Sequence, residues 1–261
     1  MKAITYSEFG SADVLSLTEV PEPHIGPDVM LVKVKAASVN PVDYKIREGY
    51  LAGLIDGDFP ITPGWDVSGV VVKPGLDTPE FAEGDEVFAY ARKDSLIGGA
   101  FAEYIAVPVR TAAHKPAGIS FEQAAALPLA GLTALQTVRR SRVREGQIVL
   151  VHAAAGGVGS IAVQLARHAG ARVVGTASPR NHDYIRSLGA EPISYGDDLV
   201  SQAKAIAPDG FDVILDFVGG QAIEPAPALL AHGGTITSIT DARARPELGG
   251  NYVWVRPDSA Q

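Results

Sequence analysis

Val149-Leu150-Val151-His152-Ala153-Ala154-Ala155-Gly156-Gly157-Val158-Gly159-Ser160 is the stretch that decides the fold. The run Ile148–His152 is short and apolar, as a buried strand is. Beyond the glycines, Val158, Ala162, Leu165, Ala166 and Ala169 fall at helical spacing and form one apolar stripe. A strand, a glycine turn and a helix in that order suit a bound pyrophosphate. Gly156 lets the backbone approach it, and Gly159 lets helix and strand pack closely. The free N–H groups of the first helical turn, from Gly157 and Val158 onward, face the phosphates. The first glycine of the usual G-x-G-x-x-G pattern is Ala154 here, so the strict motif is broken. A tight turn without a ligand is the competing reading, and the flanking strands and helices argue against it.

The next strand, Arg172–Ala177, selects the cofactor. An acid at its end would hold the ribose 2′-hydroxyl of NAD. Ser178-Pro179-Arg180-Asn181 stands there instead. The hydroxyl of Ser178 and the guanidinium of Arg180 suit a 2′-phosphate, which favours NADPH. An ordinary solvated loop arginine is the alternative for Arg180.

Around this centre the chain alternates. After the helix that runs through Ala169, a helix is expected at His182–Leu188. Strands are expected at Pro192–Tyr195, Phe211–Asp216, Gly234–Thr240 and Asn251–Val255. Short apolar strands alternating with helices predict a parallel sheet covered on both faces. The first 110 or so residues read differently, as short strands separated by Pro and Gly. In Val29–Ala37, Met30, Val32, Val34 and Ala36 lie on one face and Lys33 and Lys35 on the other. Ser120-Phe121-Glu122-Gln123 has capping-box spacing and opens the helical part. The reading is an α/β protein with a β domain over residues 1–118 and a dinucleotide-binding domain over 119–261.

Composition excludes several classes. The 261 residues carry a net charge of -8 with a pI of about 5.2, which argues against a general nucleic-acid or anionic-membrane binder. There is no cysteine, so disulfides, thiolate nucleophiles and Cys-ligated metals are excluded. No apolar run reaches the roughly 18 residues of a membrane span, and MKAITYSEFG has no apolar signal core. A cytoplasmic location is expected. No G-x-S-x-G elbow is present, which disfavours a nucleophilic hydrolase. The histidines show no H-x-H or H-E-x-x-H spacing, and His152 reads as a packed or hydrogen-bonded side chain.

Further segments carry a resemblance. They are Val39-Asn40-Pro41-Val42-Asp43, Pro63-Gly64-Trp65-Asp66-Val67-Ser68-Gly69, Gly84-Asp85-Glu86-Val87 and Gly99-Ala100-Phe101-Ala102-Glu103-Tyr104. Leu127-Pro128-Leu129-Ala130-Gly131-Leu132-Thr133-Ala134 and the turn at Ala153–Gly159 complete the set. In these segments and their order the chain resembles the zinc-independent quinone oxidoreductase branch of the medium-chain dehydrogenase/reductase superfamily. The stretch Asn40–Lys45 looks most like its alkenal and enone reductases. The resemblance implies an N-terminal GroES-like domain and a Rossmann domain, with the active site in the cleft between them. It implies NADPH-dependent hydride transfer to a quinone or an α,β-unsaturated carbonyl, often in a homodimer. Zinc-holding relatives carry a Cys near the Asn40 segment and a His-Glu pair where Trp65-Asp66 stands here, so no metal is expected.

The same resemblance places Asn40, Lys45 and Tyr50 near the substrate as the catalytic candidates. Lys45 could donate to the developing enolate oxygen or hold the nicotinamide ribose; a solvated surface lysine is the plainer alternative. Tyr44 and Tyr50 are more often packing or rim residues than acids, since Tyr is usually core or amphipathic. Thr133 has its counterpart by the nicotinamide and Tyr195 near the cofactor's phosphates. Phe217 and Val218, and Ser238, follow strand ends and should border the cofactor, since ligands lie beyond the carboxyl ends of such strands. Two other functions stay open: a 2-enoyl-thioester reductase, and an NADPH-binding protein without catalysis. Relatives continue past the equivalent of Gln261 with elements that return to the first domain. The chain is therefore expected to be a C-terminally truncated form or a fragment, less stable than a complete relative.

Overall fold

The computed structural model describes residues 1–260. The chain divides into two compact units: Met1–Leu129, joined by the residues from Pro257 onward, and Ala130–Arg256. The boundary read from the sequence is 118/119; this division of packing falls at 129/130. The first short helix of the helical part, α2 (Phe121–Ala125), still belongs to the first unit. Its Ser120–Gln123 capping box forms reciprocally, at 3.2 and 2.9 Å. Ser68 Oγ donates to the Phe121 carbonyl at 2.5 Å and ties α2 to the sheet.

In the first unit, β1 (Lys2–Thr5) and β2 (Ser16–Glu19) form an antiparallel pair. β3 (Val29–Ser38), β4 (Asp66–Lys73), β5 (Glu86–Tyr90), β6 (Tyr104–Pro108) and β7 (Ala112–His114) form a five-stranded antiparallel sheet in the order β6-β3-β4-β5-β7. The alternation expected in β3 holds from Val32 to Ala36, with Val32 buried, Val34 and Ala36 half-buried and Lys33 and Lys35 exposed, whereas Met30 and Leu31 before it are both buried. Met30 and Val32 pack with Val67, Val71, Val87, Ile105 and Val107 in one core. A helix not foreseen as such, α1 (Pro41–Arg47), follows β3 directly. Pro41 at its first position presets the helical φ, and Asn40 precedes it in an extended conformation.

The second unit holds six parallel strands: β8 (Ile148–Val151), β9 (Arg172–Thr176), β10 (Glu191–Ile193), β11 (Phe211–Asp216), β12 (Leu230–Ser238) and β13 (Asn251–Tyr252). Their order is β10-β9-β8-β11-β12-β13. Numbered from β8 as first, this is 3-2-1-4-5-6, the dinucleotide-binding order. The helices are α3 (Pro128–Arg140), α4 (Gly157–His168), α5 (His182–Ser187), α6 (Leu199–Ile206) and α7 (Ala226–Leu229). One core joins Ala134 and Val138 of α3, Ala162 and Ala166 of α4 and Ile185 of α5 to Val149 and Val213 of the sheet. A second joins Leu199 and Ala203 of α6 and Leu229 of α7 to Leu150, Ile214 and Ile236. The sheet is thus covered on both faces, as its apolar strands require. The strand expected over Asn251–Val255 is only Asn251–Tyr252. Among the described residues, no helix is long and apolar enough to cross a membrane.

Candidate active site

The glycine turn follows β8, beside β11, where the strand order reverses. Ala153 takes a left-handed backbone, with φ of 51°, and turns the chain away from the sheet. Its N–H donates to Thr176 Oγ1 at 3.1 Å, and the Ala154 N–H donates to the Thr176 carbonyl at 3.0 Å. Both bonds tie the turn to β9. Ala154, which replaces the first glycine of the usual motif, is fully buried. The methyl is accommodated by Gly175 on β9, where an added Cβ would meet Ala154 Cβ at 2.6 Å. At Gly159 a Cβ would fall 2.1 Å from the Ala153 carbonyl oxygen, so only glycine lets α4 start this close to the turn.

Gly156 caps α4 without any side-chain bond, and no acid lies in the first turn of the helix. Gly156 and Gly157 are exposed, and Val158 is half-buried. The first N–H groups of α4 are therefore presented to an incoming anion. Arg180 is exposed and, among the described residues, in no ion pair; Ser178 is half-buried beside it. Tyr195, just past β10, is 65% exposed. A cradle that only glycine fits, a helix N-terminus and a free guanidinium at the end of β9 fit a dinucleotide with a 2′-phosphate.

The loop after β11 is held by a residue that the sequence reading passed over. Asp216 is completely buried. It accepts the Val218 N–H at 3.0 Å and the Gly219 N–H at 3.1 Å. Ser238 Oγ donates to it at 2.6 Å. Ser238 sits at the strand end where it was expected, but its hydroxyl is spent on Asp216, and it also accepts the Asp241 N–H at 2.9 Å. It positions the loop that carries Phe217 and Val218. The signal was present, since an Asp closing an apolar strand needs buried partners. His152 is 2% exposed, and its Nε2 has no hydrogen-bond partner among the described residues. Burial holds its pKa below the usual value, with the Asp216 charge pulling the other way. Thr133 is buried in α3, and its carbonyl accepts from Thr137 Oγ1 at 2.7 Å.

In the first unit, Asn40, Asp43 and Asp66 form one buried network. Ser38 and Asp66 face each other in the β3–β4 register. Asp66 Oδ2 accepts Ser38 Oγ and Asn40 Nδ2, both at 2.9 Å, and Asp66 Oδ1 accepts the Leu129 N–H at 2.9 Å. Asp43 Oδ2 accepts the Asn40 N–H at 2.7 Å and closes the start of α1. The Asn40 amide is thus spent on orienting the chain and sits only 9% exposed. Lys45 and Tyr50 are exposed, and the Tyr50 N–H donates to the Lys45 carbonyl at 2.9 Å. Lys45 lies on the helix that Asp43 and Asn40 hold down, and Tyr50 in the turn that follows it.

A cavity of about 20 Å³ lies under α1, lined by Tyr6, Asp43, Thr62, Trp65 and Lys93. Its volume suits one hydrogen-bonding water. Tyr6 Oη and Asp43 Oδ1, both among the lining residues, have no hydrogen-bond partner among the described residues. Burial lowers Lys93 to about 8 and raises Tyr6 to about 12. Burial also pushes Asp43 up to about 6 and Asp66 up to about 7, the latter against the pull of its three donors. An acid with a higher pKa folded than unfolded binds its proton more tightly when folded. Its contribution to stability is then full near the unfolded value of about 4 and is lost as pH rises through 6 to 7. The urea midpoint is expected to fall between pH 5 and pH 8, and Asp43→Asn or Asp66→Asn should flatten that slope. A midpoint that rises over this range would contradict the assignment.

The donor set does not fit a catalytic zinc. The chain has no cysteine, Asp66 is saturated by three donors, and no three His, Asp or Glu converge among the described residues.

Comparison with known proteins agrees with this architecture. Residues 26–117 match the alcohol dehydrogenase GroES-like domain family, and residues 157–250 match the family described as zinc-binding dehydrogenase. The chain is 40% identical over 254 residues to an NADPH-dependent alkenal/one oxidoreductase of Arabidopsis thaliana chloroplasts, covering 94% of this chain and 64% of that protein. It is 33% identical over 262 residues to a chloroplast envelope quinone oxidoreductase homologue of the same plant, covering 97% and 77%. The solved structure of the quinone oxidoreductase from Coxiella burnetii superposes with a TM-score of 0.86 at 35% identity, covering 99% of this chain and 83% of that one. The chain spans just under two thirds of the length of the alkenal/one oxidoreductase. Two family matches in order, a 3-2-1-4-5-6 parallel sheet and relatives above 30% identity lead to one conclusion: the chain belongs to the medium-chain dehydrogenase/reductase superfamily, in its quinone oxidoreductase branch.

Proposed function

We propose that the chain is an NADPH-dependent oxidoreductase that reduces a quinone or an α,β-unsaturated carbonyl without a metal. The observation that carries the cofactor half is the Gly156–Gly159 cradle with the unpaired Arg180, and no acid, at the end of β9. The substrate half is supported by the alkenal/one oxidoreductase likeness.

NADPH, when bound, supplies the hydride. The chain's own residues do the rest. The N–H groups at the start of α4 hold the pyrophosphate, and Arg180 with Ser178 takes the 2′-phosphate. The Asp216–Ser238 pair keeps the loop at Phe217–Gly219 in one conformation, so that no ordering is needed on binding. With no metal to polarise the acceptor, negative charge on its carbonyl oxygen is met by hydrogen-bond donors. Lys45, on α1, and Tyr50, in the turn after it, are the donors. Asn40, spent on Asp66, acts by positioning that helix.

A fluorescence titration tests the reading. NADPH should bind at least about tenfold more tightly than NADH, the value of one lost charge-assisted contact. Arg180→Ala should erase that preference by weakening NADPH alone. Equal affinity for the two cofactors in the unaltered chain would refute the Arg180 assignment. A chain that binds NADPH yet reduces neither a short enal nor a quinone would refute the activity.

A further inference from the structure

The second unit has another recess, at the opposite end of its sheet from the glycine turn. It has a volume of about 510 Å³ and opens at the amino ends of β8, β11 and β12. β8 separates it from the turn by about 13 Å of strand. Four arginines line it: Arg139, Arg140, Arg142 and Arg144. The lining residues include one acid, Asp212, which accepts the Ile148 N–H at 2.7 Å. Arg140 Nε donates to the neutral Asn251 Oδ1 at 3.2 Å. Among the described residues, none of the four arginines is in an ion pair. A chain of net charge -8 thus gathers a recess here whose lining carries four cations against one acid.

The helix dipole accounts for only half of this cluster. Arg139 and Arg140 lie in the last turn of α3 and complement its negative end. Arg142 and Arg144 lie beyond the helix. Arg142 also takes a backbone that disfavours it. The Val143 N–H donates to the Val138 carbonyl and the Arg142 N–H to the Arg139 carbonyl, which is the Schellman closure of a helix. Arg142 occupies the left-handed position of that motif, with φ of 53°, where glycine is the usual residue. A strained arginine beside three others, facing a recess, points to a use for its charge.

We propose that this recess binds a small, multiply charged phosphate, pyrophosphate or the phosphorylated end of a metabolite, at a site separate from the cofactor turn. Guanidinium forks match phosphate oxygens two at a time, and four of them exceed what one carboxylate neutralises. The lining residues contain no aromatic side chain on which a base would stack, so recognition is of the phosphates themselves.

Calorimetric titration with inorganic pyrophosphate at low ionic strength tests this. One site is expected, with affinity that falls as salt rises. Arg144→Gln and Arg142→Gly should each weaken it at least tenfold. Arg142→Gly should at the same time raise the thermal midpoint by about 2–4 °C, because the strain is relieved. That rise separates loss of binding from loss of folding. No binding to the unaltered chain overturns the proposal. So does affinity unchanged in both variants, which would place the pyrophosphate elsewhere, such as the glycine turn. Citrate binding as tightly as pyrophosphate overturns the phosphate assignment.

Discussion

Gly159→Ala is expected to abolish NADPH binding, lowering affinity by at least about a hundredfold, and to destabilise the second unit by about 3 kcal/mol or more. The added methyl would sit 2.1 Å from the Ala153 carbonyl oxygen and 2.8 Å from the Ala154 Cα. These are backbone atoms and cannot rotate away. Either α4 lifts off the sheet, losing the packing of Ala162, Val163 and Ala166, or the turn opens and Ala153 and Ala154 lose their bonds to Thr176. Both routes displace the N–H groups that face the phosphates. Gly157→Ala is the control, since its Cβ would meet nothing closer than Ala130 Cβ at 4.0 Å. If Gly159→Ala binds NADPH as the unaltered chain does, the close approach is not what forms the cradle.

The second large effect is expected at Asp66. Asp66→Ala should lower stability by about 3–5 kcal/mol, because it removes at once the shared acceptor of three donors: the half-buried Ser38 Oγ, Asn40 Nδ2, which keeps only Ser38 Oγ at 3.2 Å, and the Leu129 N–H. Each joins a different segment to the start of β4. Ser38 ends β3, Asn40 opens α1, and Leu129 lies in the first turn of α3. Asp66→Asn keeps the volume but turns an amide donor toward one of these donors, so an intermediate loss is expected. Denaturant unfolding followed by the fluorescence of Trp65, the buried neighbour of Asp66, is the measurement. A loss below about 1 kcal/mol for Asp66→Ala would show that the three donors find other partners.

The sequence analysis singled out Asn40 and Ser238 as groups that meet ligand. Both side chains prove to be turned inward, Asn40 on Asp66 and Ser238 on Asp216. Their carboxylate partners lie 26 and 22 residues away, so no local spacing records the pairing. The signals that were available were compositional: an acid next to a Trp at the start of an apolar strand, and an acid closing another. An acid at such a position must find donors, but which ones depends on strand register. Ser38 meets Asp66 because β3 and β4 pair in one particular frame. The break in the glycine motif at Ala154 was legible, whereas its compensation by Gly175 was not, because those two residues meet only once β8 and β9 lie side by side.

The sequence by itself determined what depends on neighbours along the chain. It settled the strand–turn–helix at Ile148–His168, the missing acid after β9, the capping box at Ser120, the alternation in β3 and the lack of thiolate chemistry. These follow from periodicity, capping and turn geometry, which act over a few residues. The tertiary structure alone decided the 3-2-1-4-5-6 strand order, the division of packing after Leu129, the buried networks of Asp66 and Asp216 and the gathering of four arginines around one recess. Each of these rests on groups brought together by chain closure. The free energy of a buried hydrogen bond or of an uncompensated charge depends on what the fold sets beside it, not on what precedes it in sequence.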